Sequence, residues 1–275
     1  MGFNSEVFIF DYDVYRNDVI PFFYDLLRTS VVPEWLQIIL DKTHRRFEIE
    51  DLPATNLEQY CTWLEACLAW TGSYENINMV EAGWDERVCR STDCPEINHC
   101  PFHQGRTGAP AENLLRLLEI TVSLRCLGPS QFVGRSRVPD RFRDSLSEMN
   151  ASCDLESLLS KLGKRGFVIG YRWGGGEGIQ GWLTPSETTE LAWHLEHLPL
   201  PKYEASFEAM ERFYKWQQYG SFNLGGYECD GYSFEALSLS FVRTVATMAS
   251  QKGKGVLWGN DVMDADFYLN YEKYL

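Results

Sequence analysis

Glu6-Val7-Phe8-Ile9-Phe10, running straight into Asp11-Tyr12-Asp13, is the stretch from which the fold class follows. Four of the first five residues are apolar and β-favouring, which predicts a strand. A regular βαβ chain would return to a strand after one helix. Here helical patterns continue over residues 18–28, 33–45 and 56–70, with Pro21 confined to a first turn and Pro33 at a first helical position. Residues 71–109 lose periodicity, and helices are expected again over 110–125 and 154–162, the second stopped by Gly163. Strands at 167–173 and 180–183 flank Gly174-Gly175-Gly176-Glu177-Gly178, a hairpin with a mobile tip. Thr184-Pro185-Ser186-Glu187 then forms a capping box, starting a helix that runs to about 198, where Pro199 and Pro201 stop it. Helices over 203–218 and 233–251 and a strand at 255–258 complete the pattern, and no 20–50-residue period repeats. The expected class is α+β, a small mixed sheet of about four short strands packed with about eight helices. Residues 1–275 form one domain with two lobes: 1–150, acidic and carrying a Cys/His loop over 84–109, and 151–275, a hairpin with helices.

Composition bounds the function. The chain has 275 residues, is 44% hydrophobic and carries a net charge of −14, enough to build a core without disulfide or metal staples. No apolar run approaches the ~20 residues of a membrane-spanning helix, and Met1 to Glu6 lack the basic and apolar regions of a signal peptide, which predicts a cytoplasmic protein without a membrane partner. Residues 1–100 hold 18 Asp/Glu against 7 Lys/Arg, a balance of −11. Such a surface repels phosphate backbones, so nucleic acid is an unfavourable partner and a basic protein a favourable one. Arg135, Arg137, Arg141 and Arg143 form the local exception, either a phosphate or acidic-partner site or an internally paired cluster.

Of eight cysteines, Cys61 and Cys67 lie on an apolar helical stripe and Cys126, Cys153 and Cys229 stand alone. Cys89, Cys94, Cys100 and His103 share one polar loop, with His99 as a spare ligand. Thiolates and an imidazole in a flexible loop can wrap tetrahedrally around zinc, and a bound ion would order the long segment. Four protein donors leave no open position, so the zinc expected here is structural. The alternatives are unremarkable thiols in a partly disordered loop, or a disulfide.

Three further constellations carry chemistry in principle. Glu187, Glu190, His194 and His197 share one helical face, opposite Leu191, Leu195 and Leu198, and could hold a metal or an acid/base pair; the same spacing also makes a solvated face. Gly176-x-Gly178-x-x-Gly181 matches a dinucleotide fingerprint formally, but leads into a strand end rather than a helix N-terminus. Nine tryptophans could line a groove, although aromatic residues mostly serve cores.

Asp11-Tyr12-Asp13 at a strand end, with Gly259-Asn260-Asp261 after the last strand, resembles the haloacid dehalogenase-like phosphatases. The resemblance implies Asp11 as nucleophile, Asp13 as acid/base and Asp261 as a magnesium ligand, in a phosphohydrolase. Tyr15 stands where that motif expects threonine, and the aspartates would otherwise begin helices. A second resemblance lies in Leu183-Thr184-Pro185-Ser186-Glu187 leading into Leu191-Ala192, and in Phe234-Glu235-Ala236-Leu237 leading to Lys254-Gly255-Val256-Leu257-Trp258. These are similar to the end of YfbM-like bacterial proteins, small α+β proteins without an agreed catalytic set. That resemblance implies a bacterial origin and a binding or immunity-like role, and transfers no site residue.

Overall fold

The first strand finds its partner at the far end of the chain. In the computed structural model, which describes residues 4–29, 31–43, 109–135, 139–165, 178–201 and 234–270, β1 (Asn4–Phe10) pairs antiparallel with β4 (Gly255–Asn260). The register runs from Ser5 opposite Asn260 to Phe10 opposite Gly255. With β2 (Leu127–Arg135) and β3 (Gly178–Leu183) the described strands form one antiparallel sheet in the order β2-β1-β4-β3. Eight helical segments accompany it among the described residues, so the class is α+β, and the mixture is of helix and sheet rather than of strand directions.

The chain divides into two interleaved compact units, one from Met1–Tyr12, Gly128–Gly163 and Gln180–Asp261, the other from Asp13–Leu127, Lys164–Ile179 and Val262–Leu275. The first unit draws on both ends of the chain, because β1 pairs with a strand some 250 positions later.

In the first unit, the alternation of β1 and β4 sends Ser5, Val7, Ile9, Val256, Trp258 and Asn260 to one face and Phe8, Phe10 and Leu257 to the other. All nine are buried, which is why β1 shows an apolar run instead of strict alternation. The first face packs on α7 (Phe234–Gln251), whose Leu239, Phe241, Val242, Val245 and Ala246 join Leu191 and Leu195 of α6 (Pro185–Glu196) in the core. A helix buried on nearly every side must be apolar nearly all round, as this one is. Each of its large side chains contributes roughly 1.5–3 kcal/mol by leaving water. Apart from Arg243, the buried polar residues of this helix are short, and Thr244 returns its hydroxyl to Ser240 O at 3.1 Å. Trp182 of β3 closes the sheet against Phe10 and Tyr12, its ring centroid 6.0 and 5.5 Å from theirs.

The start of α6 is the expected capping box. Glu187 N donates to Thr184 Oγ1 at 3.3 Å and Thr184 N to Glu187 Oε2 at 3.0 Å, while Lys161 Nζ of α5 (Cys153–Lys164) holds Glu187 Oε1 at 2.9 Å. Thr184→Ala should therefore lower stability by about 1 kcal/mol, seen as a lower urea midpoint at unchanged slope.

Two elements differ from expectation. β2 is a strand in a segment rich in Gly128, Pro129, Ser130 and Gly134, residues with little β preference. Its pairing comes from β1 beside it, where Ser130 Oγ donates to Glu6 Oε2 at 2.6 Å, and a position at the end of the strand order tolerates Pro129. The strand expected at 167–173, the glycine tip at 174–177, and the helices at 56–70 and 203–218 lie outside the described residues.

In the second unit, α1 spans residues 12–29 and begins six residues earlier than expected, so that Pro21 sits well inside it. The turn Tyr15–Val19 is π-helical, with Ile20 N bonded back to Tyr15 O. Widening the turn just before Pro21 shifts the bonding pattern where a donor is missing, which lets the helix run through. Trp35 of α2 (Glu34–Lys42) packs on Phe22, centroids 5.8 Å apart, and α3 (Ala109–Arg125) packs on the π turn, with Arg125 3.7 Å from Asp18. α8 (Ala265–Leu269), capped by Asp264 through Phe267 N at 2.9 Å, lies against α2 and α3.

Candidate functional site

The helix α6 positions the best-defined surface feature. Its spacing buries Thr188, Leu191 and Leu195 and turns Ser186, Thr189, Glu190, Trp193, Glu196 and His197 outward. Trp193 is 59% exposed, the largest side chain among the exposed apolar residues described. It is held rather than loose. The His197 ring lies 4.4 Å from it by centroids, tilted, and the His194 ring 4.9 Å away, edge-on. His197 Nδ1 bonds Trp193 O at 2.6 Å; a carbonyl only accepts, so this nitrogen carries a proton. Ser152 Oγ, which caps α5 through Leu155 N at 3.2 Å, lies 3.1 Å from His194 Nδ1. Glu196 Oε2 is 3.8 Å from Nε of buried Arg243, whose guanidinium also donates to Pro201 O. Glu190, one turn before Trp193, has no ion-pair partner among the described residues.

Of the face expected to hold a metal or an acid/base pair, Glu187 is engaged by the cap and Lys161, and His194 and His197 by Ser152 and Trp193. Among the described residues no group of three or more His, Cys, Asp or Glu could hold a metal ion. Trp193 went unremarked in the sequence because tryptophans usually fill cores; the usable signal was its place on the helical wheel, beside Glu190 and His197 and away from Leu191.

Asp11 and Asp261 do not meet. Asp11 follows the last residue of β1 and is bound by Lys254 Nζ at 2.6 Å. Asp261 follows the last residue of β4, with φ +52°, and accepts from Asn4 N at 2.7 Å. In an antiparallel pair the two strand ends point opposite ways, so these residues stand roughly 20 Å apart at ~3.4 Å per residue. A phosphatase of the expected kind needs parallel strands delivering both to one edge. Asp13 is exposed in the first turn of α1.

Gly178 and Gly181 belong to β3, and a Cβ on Gly181 would meet Lys161 O at 2.5 Å, so this glycine serves close helix-to-strand packing. Arg143 is exposed on α4 (residues 139–148) and faces Cys153, Glu156, Ser157 and Ser160 of α5 across a cleft of ≈ 290 Å³ floored by Leu146 and Leu159. Arg137 and the loop residues Cys89, Cys94, Cys100 and His103 lie outside the described residues. No helix among the described residues is long and apolar enough to cross a membrane.

The geometry defines an α+β protein with an antiparallel sheet and an exposed aromatic and acidic helix face. No protein-family model, curated protein or solved structure matches the chain.

Proposed function

We propose that this chain is a cytoplasmic bacterial protein-binding protein, immunity-like in that it covers another protein, and that its partner is basic. The observation that carries this reading is where the charges point. Among residues whose side chains are described, fourteen Asp and Glu are exposed against five Lys and Arg. The remaining described cations turn inward: Arg165 and Arg243 are buried, and Lys161 and Lys254 are half-buried in ion pairs with Glu187 and Asp11. Among the described side chains the exposed charge is thus strongly acidic, and both units share this character, seven exposed acids against two cations in the first and seven against three in the second. Such a field steers a basic protein and repels nucleic acid. The phosphohydrolase reading has no comparable support, since Asp11 is neutralised by Lys254 and faces away from Asp261.

The test is binding of a fluorescent arginine-rich peptide, followed by anisotropy. Saturable one-to-one binding that weakens steeply with salt, and weakens further when Glu48, Glu50 and Asp51 are reversed to lysine, is the expected result. Affinity unchanged by salt and by reversal would end this reading.

Zinc held by Cys89, Cys94, Cys100 and His103 belongs to the same proposal, supported by the donor types and their common loop. Elemental analysis of reduced protein purified without added metal should find one zinc per chain. Replacing Cys94 and Cys100 with serine should remove it, and a metal-free native protein would refute the site.

A further inference from the structure

We infer that Trp193 is the docking point for an arginine side chain of the partner, gripped between the carboxylates of Glu190 and Glu196. This rests on the reading of the chain as the binder of a basic protein and adds where, and through which group, it binds. Three observations converge on α6. The indole is 59% exposed yet fixed by His194 and His197, so presenting it costs little side-chain entropy. Glu190 and Glu196 are exposed three residues before and after it, about 4.5 Å along the axis on either side at 1.5 Å per residue, on the same face. Among the described residues Glu190 has no ion-pair partner, and Arg243, which pairs with exposed Glu196 at 3.8 Å, is buried and directed to Pro201 O.

An exposed indole attracts a cation through its ring quadrupole, and adjacent carboxylates supply the hydrogen-bond acceptors. A guanidinium satisfies both demands at once. It is planar, so it can lie on the part of the ring that His197 leaves open, and its forked donors reach carboxylates in two directions. An ammonium offers a compact charge without that geometry, so arginine is favoured over lysine. Fixed aromatic anchors of this kind are enriched among the residues that dominate interfaces.

The experiment uses the full chain and three labelled nonapeptides, identical except that arginine is replaced by lysine in the second and by neutral citrulline in the third. Wild-type protein should bind the arginine peptide most tightly and the citrulline peptide least. Trp193→Ala should weaken arginine-peptide binding about tenfold. Glu190→Gln and Glu196→Gln should weaken it about threefold each. Circular dichroism should be unchanged in all three variants. In protein labelled with 5-fluorotryptophan, the resonance assigned through Trp193→Phe should shift saturably with the arginine peptide. Equal affinity of wild type and Trp193→Ala, or a static Trp193 resonance at saturation, overturns the docking point. If the peptide still depends on salt and on Glu48, Glu50 and Asp51, the basic-partner reading survives that result. Failure of wild type to bind any of the peptides overturns both.

Discussion

Gly255→Ala is expected to destabilise the first unit by on the order of 3 kcal/mol, the upper range for overfilling a packed interior. A Cβ at this position would lie 2.2 Å from Leu183 O and 3.3 Å from Phe10 Cδ1. The first neighbour is the backbone of the adjacent strand, so no rotamer change can relieve the overlap. β4 would have to move away from β3, loosening the ladder that joins β3 to the sheet. Gly253→Ala is the matched control. Gly253 has φ +62° with nothing within 4 Å, so the substitution carries only the backbone penalty of about 1–2 kcal/mol. Urea denaturation of both variants decides the matter. A Gly255→Ala midpoint no lower than that of Gly253→Ala would mean that the strands do not approach this closely.

Gly181→Ala is expected to cost nearly as much, again on the order of 3 kcal/mol, for a different contact. Its Cβ would press on Lys161 O at 2.5 Å and Leu162 O at 2.6 Å, the carbonyls of the last turn of α5. Helix and strand meet backbone to backbone there, and only glycine allows it. The result also discriminates between two uses of the Gly176-x-Gly178-x-x-Gly181 pattern. A packing glycine predicts a large loss of stability and no rise in melting temperature on adding a dinucleotide to wild type. A nucleotide loop predicts the reverse, and ligand-induced stabilisation would count against the packing role.

These glycines mark the boundary of what could be read in advance. The β1 and β4 strands, the capped helix α6 and the buried helix α7 were legible because their signals are local: an apolar run, Thr184 three residues before Glu187, a long leucine- and valine-rich period. β2 was not, because nothing within Gly128-Pro129-Ser130 favours a strand and the neighbour that makes it one is β1. Gly163 read as a helix stop, yet α5 continues to Lys164, and the glycine instead makes room for the ring of Pro139, 3.0 Å from where a Cβ would be. For the site, the polar face of α6 was visible from residue spacing, whereas the role of each member depended on partners far away in sequence: Lys161, Ser152 and Arg243. The aspartates show the same limit from the other side. Their positions at strand ends were right, but strand direction, a non-local property, decides whether two ends meet.

The pairing of β1 with β4 also sets a timetable. Asn4 N reaches Asp261 across 257 positions, so no part of that strand pair can form until the ribosome has made nearly all of the residues between them. At about 5–20 residues per second, β1 waits roughly ten to fifty seconds with Phe8 and Phe10 uncovered by their eventual neighbours. Closure of the first unit is therefore late relative to the synthesis of β1 and carries a high loop-closure cost. Interrupted synthesis before Gly255 leaves an adhesive apolar strand without its mate, and the newborn chain is a natural client for chaperones that shield such segments.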